Sequence, residues 1–366
     1  MSEDAEKVFR DYTEMGLTDG LPIVPPTRDR VNRMLDYTDR RPDDVLGKVP
    51  PSEDETTVEA AAICAVMAGC KPEYFPVVVT EINTLLDRPN LRGAIATTGP
   101  CWPFAVVNGP IAKEIGLYSS WGLLGTGPNH MANLTIGRTM TLVIQNIGKS
   151  VPGVSEKKPL WNLGRYGICI KEDEDNSPWE PLHVEKGFQK ETSTVTVFDE
   201  VSLGRGGQVG GGTGYFELDM THSAQNLTRQ YGVQRAIVPP GEASLCICSA
   251  AVAKNFIEKG WKKQDVKDFY YENVRSNPQD WHADYPPELR EDLMRLAFSM
   301  SPPWMKMSKS VPLFRSPDDI WIVVAGALGG TWSIHEHHGG HPGLIKQITL
   351  ADGTPAKSVK DFKRTK

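Results

Sequence analysis

The sequence predicts an α/β protein of two intimately packed lobes, with mixed or mostly parallel sheets and flanking helices. Three observations predict it. Short strand-like apolar runs alternate along the chain with stretches of helical pattern, the order expected of strands interleaved with covering helices. The 366 residues exceed what one small core needs and fall short of what three domains need. Hydrophobic residues at 39% and charged residues at 23% are the proportions of an ordinary globular chain, and they exclude a disordered or fibrous one.

From the amino terminus, a first helix is expected over 4–14, ending near Gly16. Pro22, Pro25 and Pro26 of DGLPIVPPT then force an extended strap. After the acidic turn SEDETT, Thr56 or Thr57 is placed to cap a helix over 58–67, and Gly69 to stop it. Pro72 opens the next helix, which runs to Leu86 with an interruption at Pro76. Residues 94–98 and 104–108 read as two buried strands, and the GPCWP between them puts Cys101 on a tight loop. A short helix follows from Ile111. The glycine-rich WGLLGTGPNH then opens a long amphipathic helix over 131–147. Further strands are expected at 166–171, 194–198, 236–239, 245–248 and 320–325, with helices at 250–258, 264–274 and 288–299. Segment 200–214, EVSLGRGGQVGGGTG, carries glycine at seven of its last eleven positions and so reads as a loop or boundary. It separates an N-terminal α/β lobe, 1–199, from a C-terminal α/β lobe, 215–366.

Forty basic residues stand against forty-six acidic ones, a net charge of −6 with both signs interspersed. No basic block is present to neutralise phosphates, so nucleic acid is excluded as a partner. The first thirty residues are charged and contain no apolar stretch of signal-peptide length, and the longest apolar runs, such as 75–79, are far too short to span a bilayer. A cytoplasmic protein, alone or as a homo-oligomer, is the expectation. The six cysteines, at 64, 70, 101, 169, 246 and 248, form no CxxC pair. Reduced thiols are expected, and all but Cys101 lie inside apolar segments as small buried hydrophobes.

The sharpest chemical signal is HEHHGGH. Four of the eight histidines, His335, His337, His338 and His341, fall within seven residues. Closely spaced imidazoles bind divalent transition metals, zinc foremost, and Glu336 can serve as a ligand or base. The pattern is not HExxH, because Gly339 and Gly340 would break the helix that motif requires; a strand would put His335 and His337 on one face. Cys101, just beyond a predicted strand, is placed as a nucleophile if a neighbour lowers its pKa. The loop carrying Gly125, Gly127, Asn129 and His130, with Asn108 nearby and Arg138 two turns into the following helix, can offer backbone N–H groups to an anionic substrate. Its asparagines can equally brace turns. In KEDEDNSPWEPLHVEKGF, Glu180 and His183 are held between and beside prolines and are candidates for acid and base work.

The segments DGLPIVPPT, AVMAGCKPEYFPVV, ATTGPCWPFAVVNGP, NLTIGRTMTLVIQNIG and SPWEPLHVEKGF resemble a bacterial family often encoded beside UGSC-motif thiol or selenol proteins. The resemblance covers about residues 15–275 and brings no catalytic residues to carry over. It implies a partner protein whose cysteine or selenocysteine supplies redox or nucleophilic chemistry. HEHHGGH lies outside the matching segments. The leading expectation is an enzyme acting on a small polar molecule by metal-assisted hydrolysis or addition and elimination, a hydrolase or lyase. Two alternatives stand beside it: a thiol-based redox component working through Cys101 with a UGSC-like partner, and a non-enzymatic protein that binds a small ligand.

Overall fold

The computed structural model describes residues 3–89, 91–96, 102–158, 167–208, 215–234, 243–276, 286–289, 291–292, 295, 310–327, 332–338 and 343–363. It is an α/β fold with mixed sheets. Two compact units divide the chain: the first holds Met1–Glu172, Pro181–Ser202 and Gly343–Lys366, the second Asp173–Glu180 and Leu203–Pro342. The expected contiguous lobes thus give way to interleaved ones. The last segment belongs to the first unit because its strand pairs there, as set out below.

Helix α1 (Glu3–Glu14) leads through the proline-rich strap to α2 (Arg28–Leu35), which Thr27 caps through its side chain. A hairpin of β1 (Val45–Val49) and β2 (Asp54–Thr57) follows, so the last four residues of SEDETT are strand rather than turn. Helix α3 (Val58–Ala68) begins where Thr57 Oγ1 accepts the Ala60 N–H at 3.1 Å. It ends at Gly69, whose φ of 92° is the left-handed cap that glycine tolerates. A 3-10 turn (Pro72–Tyr74) then enters α4 (Phe75–Leu86), and Pro76 sits in its first turn, where no N–H is required, so it starts the helix instead of interrupting it.

Residues 94 and 95, expected in a strand, close a short helix, α5 (Leu91–Ile95), with Ala96 N bonded to Arg92 O at 2.9 Å. A short apolar run has no periodicity that separates the two states, and tertiary context decides it. Strand β3 (Trp102–Asn108) follows, then α6 (Pro110–Glu114), the long α7 (Met131–Asn146), β4 (Ile168–Lys171), the single turn α8 (Leu182–Glu185) and β5 (Thr194–Gln208). β3 runs parallel to β4 and antiparallel to β5. The glycine-rich segment expected to be a loop is strand as far as Gln208. Pairing carries its first residues into the strand, since Val201 opposes Trp102.

The second unit contains α9 (Phe216–Gln234), which no pattern had suggested, then β6 (Ala243–Cys248), α10 (Ala250–Glu258) and α11 (Lys263–Asn273). A two-residue ladder joins β7 (Arg275–Ser276) to β8 (Val311–Pro312). β9 (Ile320–Val324) is parallel to β6, and β10 (Trp332–His338) is antiparallel to it on the other side. Back in the first unit, β11 (Leu344–Gln347) pairs antiparallel with β5. The strand expected at 236–239 lies outside the described residues; of the helix expected over 288–299, residues 288, 289, 291, 292 and 295 are described and helical. Among the described residues no helix is long and apolar enough to cross a membrane.

In the first core, α7 crosses the start of β4 at two glycines. A Cβ on Gly167 would lie 1.9 Å from Gly137 O, and one on Gly137 would lie 2.5 Å from Gly167 C. Neither backbone can retreat without dislodging Ile136 and Met140 from the core. On α4, Glu81 is fully buried, and neither carboxyl oxygen has a hydrogen-bond partner among the described residues. Burial holds its pKa well above the ordinary range, so the carboxyl stays protonated.

Two outcomes follow. Gly137→Ala should lower unfolding free energy by about 1–3 kcal/mol through overpacking against a neighbour that is itself backbone, read as a reduced urea midpoint. Glu81 has a folded-state pKa above its unfolded value of about 4.3, so the stability it contributes at low pH is lost as pH rises through the folded value. Urea titrations should therefore show wild type losing ground to Glu81→Gln as pH rises; a pH-independent difference would contradict the raised pKa.

Candidate functional site

The second unit buries a set of polar groups between its sheet and two helices. Cys246 and Cys248 are alternate residues of β6, and both belong to the core formed with α9, α10 and α11. On α11 the buried stripe is Lys263, Val266, Lys267 and Tyr270, the i, i+3, i+4, i+7 positions of one helix face. Lys267 is only 2% exposed. Helix α9 adds Asp219 and Ser223, both buried and one turn apart, and Ser223 Oγ lies 3.0 Å from Tyr270 Oη. Lys263 Nζ donates to Glu180 O at 3.2 Å.

Electrostatics tie these groups together. Burial raises the Cys246 thiol well above its ordinary range, with Cys248 adding to the shift and Lys263 opposing it. Burial likewise raises Tyr270; Cys246 and Cys248 contribute in the same direction, and the Ser223 hydrogen bond opposes them. Both groups are therefore protonated at neutral pH. Lysines on the apolar stripe of a helix break the binary pattern, and such departures concentrate at functional sites. That signal was present in KQDVKDFYYEN.

The histidine segment joins this layer through its register. β10 sets His335 opposite Cys246 and His337 opposite Ser244, while Glu336 opposes Leu245 and His338 opposes Ala243. Opposed residues of an antiparallel ladder share a face, so His335 and His337 stand on the face of Cys246 and Cys248. Glu336 and His338 stand on the other. The pleat thus divides these four positions into two pairs, the arrangement expected if the segment is a strand. Residues 332–338 are strand, and His341 lies outside the described residues. Among residues whose side chains are described, no group of three or more His, Cys, Asp or Glu is arranged to hold a metal.

Comparison with family models, with curated proteins and with solved structures returns no match. The site is therefore read from its own chemistry.

The remaining candidates lie in the first unit, apart from Glu180, which is exposed and belongs to the second. Cys101 falls outside the described residues. Asn108 and Glu172 each follow the last ladder pair at the carboxyl ends of the parallel strands β3 and β4. Asn108 Nδ2 donates to Glu172 Oε2 at 2.6 Å, and the Leu182 N–H donates to the same oxygen at 2.8 Å. Glu172 thus anchors α8 to the sheet. His183 is fully buried, with Nε2 3.3 Å from Lys190 O.

The loop before α7 is closed on itself. Gly125 N donates to Gly122 O at 2.7 Å, His130 N to Gly127 O at 3.0 Å, and His130 Nε2 lies 2.9 Å from Gly122 O. Asn133 receives the Tyr118 N–H and donates to Tyr118 O, each at 2.9 Å. His130 is buried beneath Tyr118, at a ring distance of 4.6 Å, and Asn129 is exposed. These bonds make the loop a braced turn. Arg138, expected to meet an anionic substrate, meets Asp19 instead: Nε and Nη2 reach the two carboxylate oxygens at 2.7 Å each, and Nη2 also reaches Leu21 O at 3.2 Å. The guanidinium fork matches a carboxylate geometrically, and here the carboxylate is the protein's own. Arg138→Ala should leave Asp19 poorly solvated and cost about 3 kcal/mol, measured by chemical denaturation; a cost near zero would show that the pair contributes nothing.

Proposed function

We propose that the protein is a metal-dependent enzyme acting on a small polar molecule by hydrolysis or by addition and elimination, working at the face of β6 and β10 covered by α9 and α11. The observation that carries the reading is the register: His335 opposite Cys246 and His337 opposite Ser244 put two imidazole-bearing residues and a thiol-bearing residue on one face of the ladder. Alternate histidines on a strand suit a single ion, and the mixture of nitrogen and sulfur donors favours zinc. Such an ion supplies a bound water acidified to a pKa near about 7.

The chain's own residues do the rest. Lys267, buried on α11, contributes positive charge that favours an anionic group on the substrate. Tyr270, positioned by Ser223, offers a phenolic proton inside a layer from which water is largely excluded, where a hydrogen bond to developing charge counts for more than it does in water. The pleat sets Glu336 on the far face, so proton transfer falls to Tyr270 rather than to Glu336.

Elemental mass spectrometry on untagged protein purified without added metal tests the reading. Wild type and His338→Ala should retain about one equivalent of a divalent transition metal, and the double variant His335→Ala/His337→Ala should lose it. A metal-free wild type, or retention of metal by the double variant, would remove the proposal.

A further inference from the structure

The first unit gathers a separate set of titratable groups where the proline-rich strap, the end of α3 and the middle of α7 meet. Among the described cysteines Cys70 alone is half-buried; Cys64, Cys169, Cys246 and Cys248 are buried. Cys70 Sγ lies 3.3 Å from Thr139 Oγ1 on α7. A Cβ on Gly69 would lie 3.7 Å from Thr135 Cγ2 and 3.9 Å from Val24 Cγ2, so both the helix and the strap adjoin the residue before the thiol. The strap is pinned around this corner. The Val24 N–H donates to Met67 O at 3.2 Å, and Arg138, next to Thr139 on α7, holds Asp19 and Leu21 O.

Burial pushes the Cys70 thiol up to about 12; the Thr139 and Thr135 hydroxyls oppose the shift, Glu81 adds to it and Arg138 opposes it. Burial raises Cys169 as well, again with Glu81 adding to the shift. The Glu81 carboxyl, fully buried and without a hydrogen-bond partner among the described residues, therefore belongs to the same cluster. Unsatisfied buried acids are concentrated at functional sites. Arg138 is the one cation whose charge favours the Cys70 thiolate, and Asp19 on the strap neutralises it through two 2.7 Å hydrogen bonds. The strap thus restrains the thiol through both burial and charge.

We infer that Cys70 is a strap-gated modification site: inert while residues 17–24 are seated on α7, and able to take up a low-molecular-weight disulfide as a mixed disulfide once the strap lifts. Lifting removes burial from the thiol and parts Asp19 from Arg138, which stays beside Thr139 and then favours the thiolate. The Cys70 sulfur attacks one sulfur of the disulfide RSSR. A new S–S bond forms as the old one breaks, and the departing RS⁻ takes up the proton that Cys70 gives up. Cys70 is oxidised, the reagent yields one RSH, and no other co-reactant is required.

Incubation of the full chain with oxidised glutathione, followed by peptide-resolved mass spectrometry, tests the assignment and separates Cys70 from every other cysteine. Wild type should acquire the mixed disulfide at Cys70 slowly. Asp19→Asn, which frees Arg138 and loosens the strap, should acquire it about tenfold faster or more, the effect of a one-unit fall in thiol pKa. Gln145→Ala removes the hydrogen bond to Thr18 O, about two turns along α7 from Arg138, and should also raise the rate while leaving the Arg138 and Asp19 pair in place. Thermal melts confirm that both variants fold. No mixed disulfide at Cys70 in folded Asp19→Asn, or a rate there no greater than that of wild type, would overturn the inference.

Discussion

Along β6 and β10 consecutive residues take opposite faces of a layer one strand thick, so each position answers to a single environment and the register decides which one. Cys246 and Cys248 go to the core beneath α9, α10 and α11, while Leu245 and Ile247 go to the other face, and all four are buried. The antiparallel ladder carries that sorting across to β10, where His335 and His337 inherit the face of the thiols. A slip of one residue would exchange the pairs and bring Glu336 and His338 to the helices instead. With both faces of β6 buried and apolar, such a slip on β6 itself is resisted by its whole hydrophobic pattern.

The same layer shows how the chain handles polar groups inside a core. An ammonium or phenol removed from water is costly unless its neighbours satisfy it. Tyr270 meets Ser223, and Lys263 meets the Glu180 carbonyl. In the first unit, Asp19 and Arg138 meet each other in a bidentate pair that draws the proline-rich strap onto α7. Gln145 and Asn146, further along that helix, extend the seam by donating to Thr18 O and Leu17 O. The strap is thus held by side chains of α7, which explains why polar residues interrupt that helix's apolar pattern. Glu81 is the contrasting case, kept neutral by burial without a described partner.

Close backbone approach sets the geometry of the first core. Gly137 and Gly167 allow α7 to lie directly against the entry to β4, and β4 in turn delivers Glu172 to Asn108 and to the first turn of α8. Here a pair of absent side chains, one on a helix and one before a strand, positions a buried carboxylate that neither glycine touches.

Much of the local structure could be read from the chain because its causes are local. Thr57 and Gly69 bound α3 and Pro72 begins the next helical segment, since caps and prolines act within one turn of themselves. Residues 94 and 95 were misread because a short apolar run does not distinguish helix from strand, and the start of the glycine-rich segment because Val201 is paired with Trp102, far away in sequence. The histidine cluster was visible as a candidate, as was the alternative that a strand would pair His335 with His337, but the register that sets His335 opposite Cys246 was not. Arg138 was visible as a cation on a helix, and only the folded chain revealed Asp19 as its partner. By itself the sequence determined the ends of the helices that carry local caps or prolines, and which residue types could carry chemistry. The tertiary structure decided which of those residues share a face, because pairing register and helix packing join positions far apart along the chain, beyond the reach of any local rule.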